Sequence, residues 1–295
     1  MKFKEKKDIS FYGKMILIFF LCCSVTIIIR TVQTFLYIDR ETGFSTGGTA
    51  LSVMLCLLIV GSTLFFMAVA FSSKKTANIS LDIEKNSLMS VISVMLSLSF
   101  IYDSMSAFLS SFDSVGNVPY GVPVFQSMML SGTIPKFFQS VFALLSAVYF
   151  IFFAKAAIKG NNAFNKHKIL AVSPVCWAGF RLIHRFVEQI SYIRVSELLY
   201  ELVLLAFLVM FFMAFAQLSS GVYIKNARWR ILGLGLPTAL ISLTLNIPRL
   251  IYVLSAGADE LYGKYPFKVC DFVIALFIVV LAVNIIGEKT KAVEA

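Results

Sequence analysis

Trp177, Arg181, His184, Arg185 and Glu188 stand close together in the stretch WAGFRLIHRFVEQI. On a helix they fall within about 100° of one face, while Ile183, Phe186 and Ile190 take the opposite side. Guanidinium groups grouped in this way bind carboxylate or phosphate oxygens, and a neighbouring carboxylate balances them or meets an ammonium. Asp103, Glu201, Arg249 and Asp271 stand in equally apolar surroundings elsewhere in the chain. An ionisable group near a bilayer centre costs at least a few kcal/mol, so each is a candidate functional residue by its position.

The surroundings are those of a membrane. Of 295 residues, 59% are hydrophobic and 14% charged, with a mean hydropathy of +0.85. Soluble domains are roughly half apolar and about one quarter charged. The apolar residues fall in runs of about 20, the length that lets a helix cross the hydrocarbon. Eight spans are expected, near 15–37, 49–71, 88–111, 137–158, 169–190, 196–218, 230–254 and 268–287. The expected class is an all-α integral membrane protein: a basic segment 1–14, one polytopic domain 15–287 and a tail 288–295. The third span is rich in serine, at Ser90, Ser93, Ser97 and Ser99, which favours close packing on another helix. The fifth is the least hydrophobic. The first has a basic start but no small-residue cleavage site after it, so it reads as a helix that stays.

Charge sets the orientation. With the N-terminus in the cytoplasm, 17 of the 26 Lys and Arg and six of the 16 Asp and Glu lie on the inner side. The outer loops and the rest of the spans hold the other nine cations against ten acids. This is the positive-inside pattern, with both termini cytoplasmic. The net charge of +10 therefore reports topology and contact with anionic lipid, not nucleic acid. Short loops and a Lys-, Ile- and Phe-rich composition point to a bacterial inner membrane. The longest loop, near 111–136, is rich in Gly and Pro and reads as a cap or a partly re-entrant segment.

Phe-rich runs recur at the inner ends of the even spans: FFMAVAFSS from Phe65, FFAKAA from Phe152 and FFMAFAQLSS from Phe211. Duplicated helical hairpins would produce them, as would chance among 29 phenylalanines.

Depth follows from the turn between spans 5 and 6, centred near Ile193. Arg185 and Glu201 lie equally far from it, roughly 12 Å along each helix, and should pair. Glu188 and Glu197 match nearer the surface, close to Arg194. Arg181 lies deeper, needing Asp103 or an anion. His184, between two arginines, is expected to act as a neutral hydrogen-bonding group. Arg249 is expected to pair with Asp271, and Pro248 is expected to break span 7 at a binding site, as in many transporters. The inner halves of the spans are almost wholly apolar, so the polar residues would line a vestibule open to the outside.

Enzyme chemistry finds little support. Five cysteines show no zinc or disulfide spacing and read as small buried groups. The two histidines are too few for a histidine-based metal site, and no HExxH, GxSxG or Gly-rich phosphate loop occurs. No cofactor is implied. Asn246 to Arg249 resembles the NxxR element of exosortase-type intramembrane transpeptidases, and Cys176 precedes it, but no histidine follows to complete that set. The expectation is a protein that recognises or translocates a small anionic or zwitterionic solute, translocation requiring the apolar inner half to open. Arg181, His184, Arg185, Glu188, Glu201, Arg249, Asp103, Asp271 and Trp177 would line the site, Trp177 as an apolar wall. The alternative is a receptor-like or scaffold subunit, partnered by another membrane protein, whose buried charges only fix helix packing.

Overall fold

A computed structural model describes residues 2–37, 47–72, 86–116, 123–160, 168–187, 195–221, 227–256 and 267–294. Every regular element among them is helical: α1 Lys2–Leu36, α2 Thr49–Ser72, α3 Ser87–Gly116, α4 Val124–Leu130, α5 Thr133–Lys159, α6 Ser173–Val187, α7 Val195–Ser219, α8 Ala227–Ala256 and α9 Val269–Glu294. Among the described residues, seven of these are long and apolar enough to cross a membrane. Their outward faces carry large exposed apolar side chains, such as Leu17 and Ile28 on α1, Leu57 and Leu64 on α2, Leu98 and Met105 on α3, and Leu144 and Ile151 on α5. Water would penalise such a perimeter, whereas lipid tails cover it at no cost. The architecture is consistent with a multi-pass helical membrane bundle.

The expected fifth span differs from the others. It is a single 3-10 turn, Leu170–Val172, followed by the 15-residue α6. Within the described residues α6 has 15 residues, fewer than the shortest of the seven. Its faces are as expected, with Trp177, Ala178 and Arg181 buried and Ile183 and Phe186 exposed. The long loop after α3 is partly helical, in the form of α4.

The chain forms two compact units, Met1–Ala77 with Arg228–Ala295, and Asn78–Ala227. In the first, Thr26 of α1 and Thr244 of α8 share a hydrogen bond of 2.9 Å, and Phe19 of α1 packs edge-on against Phe66 of α2 at 5.9 Å. A groove of about 410 Å³ between α1 and α2, lined by Leu21, Val25, Leu57, Gly61 and Phe65 among others, contains none of the charged residues. α8 runs unbroken through Pro237 and Pro248, so the interruption expected at Pro248 is absent. A helix inside a bundle tolerates proline because its neighbours satisfy the freed backbone groups. Asn246 instead fastens α9: its side-chain oxygen accepts the Lys268 backbone N–H at 3.2 Å, while its amide donates to the Ser242 carbonyl at 3.0 Å.

The second unit is organised by a serine seam. Ser90, Ser97 and Ser104 of α3 recur every seven residues and donate to the carbonyls of Ala154, Ala147 and Ser140 of α5, at 3.1, 2.9 and 2.9 Å. Ser140 returns the contact to the Ser104 carbonyl at 3.0 Å. Each step forward on α3 matches an equal step back on α5, the register of an antiparallel coiled coil. Small residues let the backbones approach, and each such bond is worth about 0.6 kcal/mol inside a membrane. α6 lies along α5 with its own register. Ser146 donates to the Ser173 hydroxyl at 3.2 Å, and His184 meets Gly132 at 3.2 Å. α6 therefore runs from the middle of α5 back to its start, alongside half of that helix.

Candidate functional site

Asp103 is the centre of the polar cluster in the second unit. The Trp177 indole N–H donates to Asp103 Oδ2 at 2.8 Å, and the Gln139 amide donates to the same oxygen at 3.0 Å. Three helices, α3, α5 and α6, thus converge on one carboxylate oxygen. The seam sets this convergence: Asp103 and Gln139 each precede by one residue the hydrogen-bonded pair Ser104 and Ser140. Trp177 is fully buried, and its ring meets Phe100 edge-on at 4.9 Å and Phe212 at 6.3 Å. Phe100 stacks on Phe150 at 5.7 Å, and Phe150 on Phe215 at 6.1 Å, so the cluster rests on a dry aromatic layer.

One helical turn beyond Trp177, the Arg181 guanidinium lies over the indole face, 5.3 Å from the ring centre. Arg181 is only 6% exposed. A cation held over a tryptophan face in this way gains roughly 2 kcal/mol or more when desolvated. One turn further, Arg185 pairs with Glu201 of α7 at 3.0 Å, the contact expected from the symmetry of the intervening turn. Along α6 the order is therefore carboxylate and indole, then guanidinium, then ion pair, each about 6 Å apart by helical rise.

His184 points to the other flank. Its Nδ1 lies 3.2 Å from the Gly132 carbonyl, and since a carbonyl only accepts, Nδ1 carries the proton. Gly132 starts α5 with φ of 69°, a conformation that disfavours every residue with a side chain. A Cβ there would lie 2.8 Å from His184 Nδ1. Gly132→Ala should lower stability by about 1–2 kcal/mol from backbone strain alone, with more from displacing the imidazole. Thermal unfolding of the purified variant checks this, and an unchanged midpoint would refute the assigned contact.

The other expected site residues distribute as follows. Asp271 and Arg249 are 2% and 6% exposed and belong to the first unit, where the Asp271 carbonyl accepts from Ser242 at 2.8 Å. Asp271 also lies in the first turn of α9, where a carboxylate complements the helix dipole. Glu188 and Arg194 fall outside the described residues. Arg30, nearly one turn before Gln33 on α1, donates to it at 2.6 Å, and Gln33 donates to Ser52 at 2.7 Å, forming a separate polar chain in the first unit.

Sequence reasoning missed the parts played by Gln139 and Gly132 and misread Trp177. The indole is not merely an apolar wall, because its N–H holds Asp103 and its face carries Arg181. Heptad matching of the α3 and α5 serines would have placed Gln139 beside Asp103. Among the described residues, no group of three or more His, Cys, Asp or Glu side chains could hold a metal ion. No protein-family model, curated protein or solved structure matches this chain.

Proposed function

We propose that the polar cluster of the second unit binds a small anionic or zwitterionic solute. The observation that carries this reading is Arg181, a deeply buried guanidinium over the face of an indole whose N–H, with the Gln139 amide, holds the Asp103 carboxylate. Arg181 and Arg185 would receive the anionic group, with Glu201 and Asp103 balancing charge. Arg249 and Asp271 form a second polar set in the first unit. In this reading the chain crosses the cell membrane eight times, α6 belonging to the polar crossing, and both termini are cytoplasmic as the positive-inside pattern suggests. The Phe-rich helix ends would then be remnants of duplicated hairpins. The site would open to the outside, and transport would require the aromatic layer beneath Trp177 to part.

A second reading has an observation of its own. Arg185 already has a carboxylate at 3.0 Å, as a purely structural ion pair would. On that reading the protein is a receptor-like or scaffold subunit with a membrane-protein partner. The two readings separate in one experiment, the thermal stability of purified protein against small anions, amino acids and nucleosides. Saturation at 100 times Kd should add about 2.7 kcal/mol. A stabilising solute that no longer acts on a folded Arg181→Leu variant supports the site. Silence across the panel removes the solute reading.

A further inference from the structure

Asp103 presents its two oxygens to different surroundings. Oδ2 receives both the Trp177 indole N–H and the Gln139 amide, at 2.8 and 3.0 Å. No described residue donates to Oδ1, Asp103 is half-buried, and the buried unpartnered polar atoms of the described residues are those of Thr63, Tyr149 and Tyr252, so Oδ1 is not sealed in. A carboxylate inside an apolar helix, oriented through one oxygen and open at the other, is prepared to accept a charge-assisted hydrogen bond. On the reading that this cluster is a solute site, we infer that Asp103 Oδ1 binds the primary ammonium of an amino-acid-like zwitterion whose carboxylate goes to Arg181.

Geometry and chemistry favour an ammonium over the other cations. Calcium takes six to eight oxygen ligands, and magnesium six in a near-ideal octahedron. Among the described residues no second or third carboxylate completes such a set around Asp103. An ammonium needs few acceptors and tolerates aromatic neighbours, which Trp177 and Phe100 supply. The anionic end has its partner on the same indole: Asp103 sits at the N–H edge of Trp177 and Arg181 over its face. Opposite charges flanking one ring match a molecule that carries both within a few bonds. A plain anion would leave Asp103 as a repulsive neighbour.

Trp177 also reports on the site. The chain has two tryptophans, so Trp229→Phe leaves Trp177 as the sole tryptophan, excited selectively at a wavelength of about 295 nm that its tyrosines barely absorb. In that background, the common L-α-amino acids are titrated beside their N-acetyl derivatives, following Trp177 emission and the unfolding midpoint. The expected result is that free amino acids bind and their N-acetyl derivatives, lacking the ammonium, do not. Asp103→Asn should weaken the best amino acid at least about tenfold, the weight of one charged hydrogen bond. The variant should fold, because the Asn side-chain oxygen can accept from both Trp177 and Gln139 and turn its amide to the open side. Equal binding of free and acetylated forms, or unchanged affinity in Asp103→Asn, overturns the ammonium assignment and leaves the solute site standing. The comparison of free with acetylated ligands uses no Asp103 variant, so it decides even if that variant misfolds. If neither series binds while a plain carboxylate does, the inference fails alone. If no probe binds, the inference and the solute site fail together.

Discussion

Glu201→Leu should cost the protein about 3 kcal/mol, and Arg185→Leu added to it should recover most of that loss. The expectation rests on the 3.0 Å pair between α6 and α7, whose side chains are 23% and 11% exposed. Removing one partner leaves a charge in low dielectric without the group that neutralised it, a change that costs about 3–5 kcal/mol when fully buried. The partial exposure of Arg185 places this case at the low end. Removing both charges leaves apolar surfaces of matched size, which membrane interiors accept. A double-mutant cycle on unfolding in mild detergent measures the coupling. If the double variant is as unstable as the two single losses added together, the ion pair does not bind α6 to α7. The same double variant also bears on function, since retained fold with lost solute stabilisation would assign the pair a second duty.

Trp177 carries the other large effect. Trp177→Ala should destabilise by about 3–5 kcal/mol, because it empties the space at the meeting of Phe100, Phe212 and Arg181. Trp177→Phe should cost much less. It retains most of the ring and sacrifices the N–H bond to Asp103, worth about 1.5–3 kcal/mol for a charged acceptor. Ranking the two by unfolding midpoint separates packing from hydrogen bonding. Equal losses would mean that the N–H, not the ring volume, secures this junction.

What could be read from the chain follows from the range of the physics involved. Apolar runs are local, so seven helices were evident from length and hydropathy alone. Arg185 and Glu201 were legible because a short turn makes adjacent helices mirror one another in depth. Asp103 and Trp177 are 74 positions apart on helices that do not follow each other in sequence, so no turn arithmetic relates them. The heptad of Ser90, Ser97 and Ser104 was visible, but its register against Ala154, Ala147 and Ser140 required knowing that α5 is the partner. Pro248 misled because a proline weakens an isolated helix, whereas a buried helix has neighbours that take up the freed groups.

The division of the chain into units has a consequence for biosynthesis. One unit is contiguous, Asn78–Ala227, and the other is assembled from the two ends of the chain, Met1–Ala77 and Arg228–Ala295. A ribosome that has delivered residue 227 has released every helix of the first kind of unit, and the α3–α5 seam can close while synthesis continues. α1 and α2 must meanwhile wait in the bilayer for α8 and α9. Their composition suits that wait: their most hydrophobic stretches average 2.5 in hydropathy and bury only 28% of their residues in the finished fold. The helix they wait for, α8, is the opposite, 89% buried and carrying Thr244, Asn246 and Arg249 on one element. The order of synthesis thus puts two largely lipid-facing helices in place before the largely buried α8 reaches them.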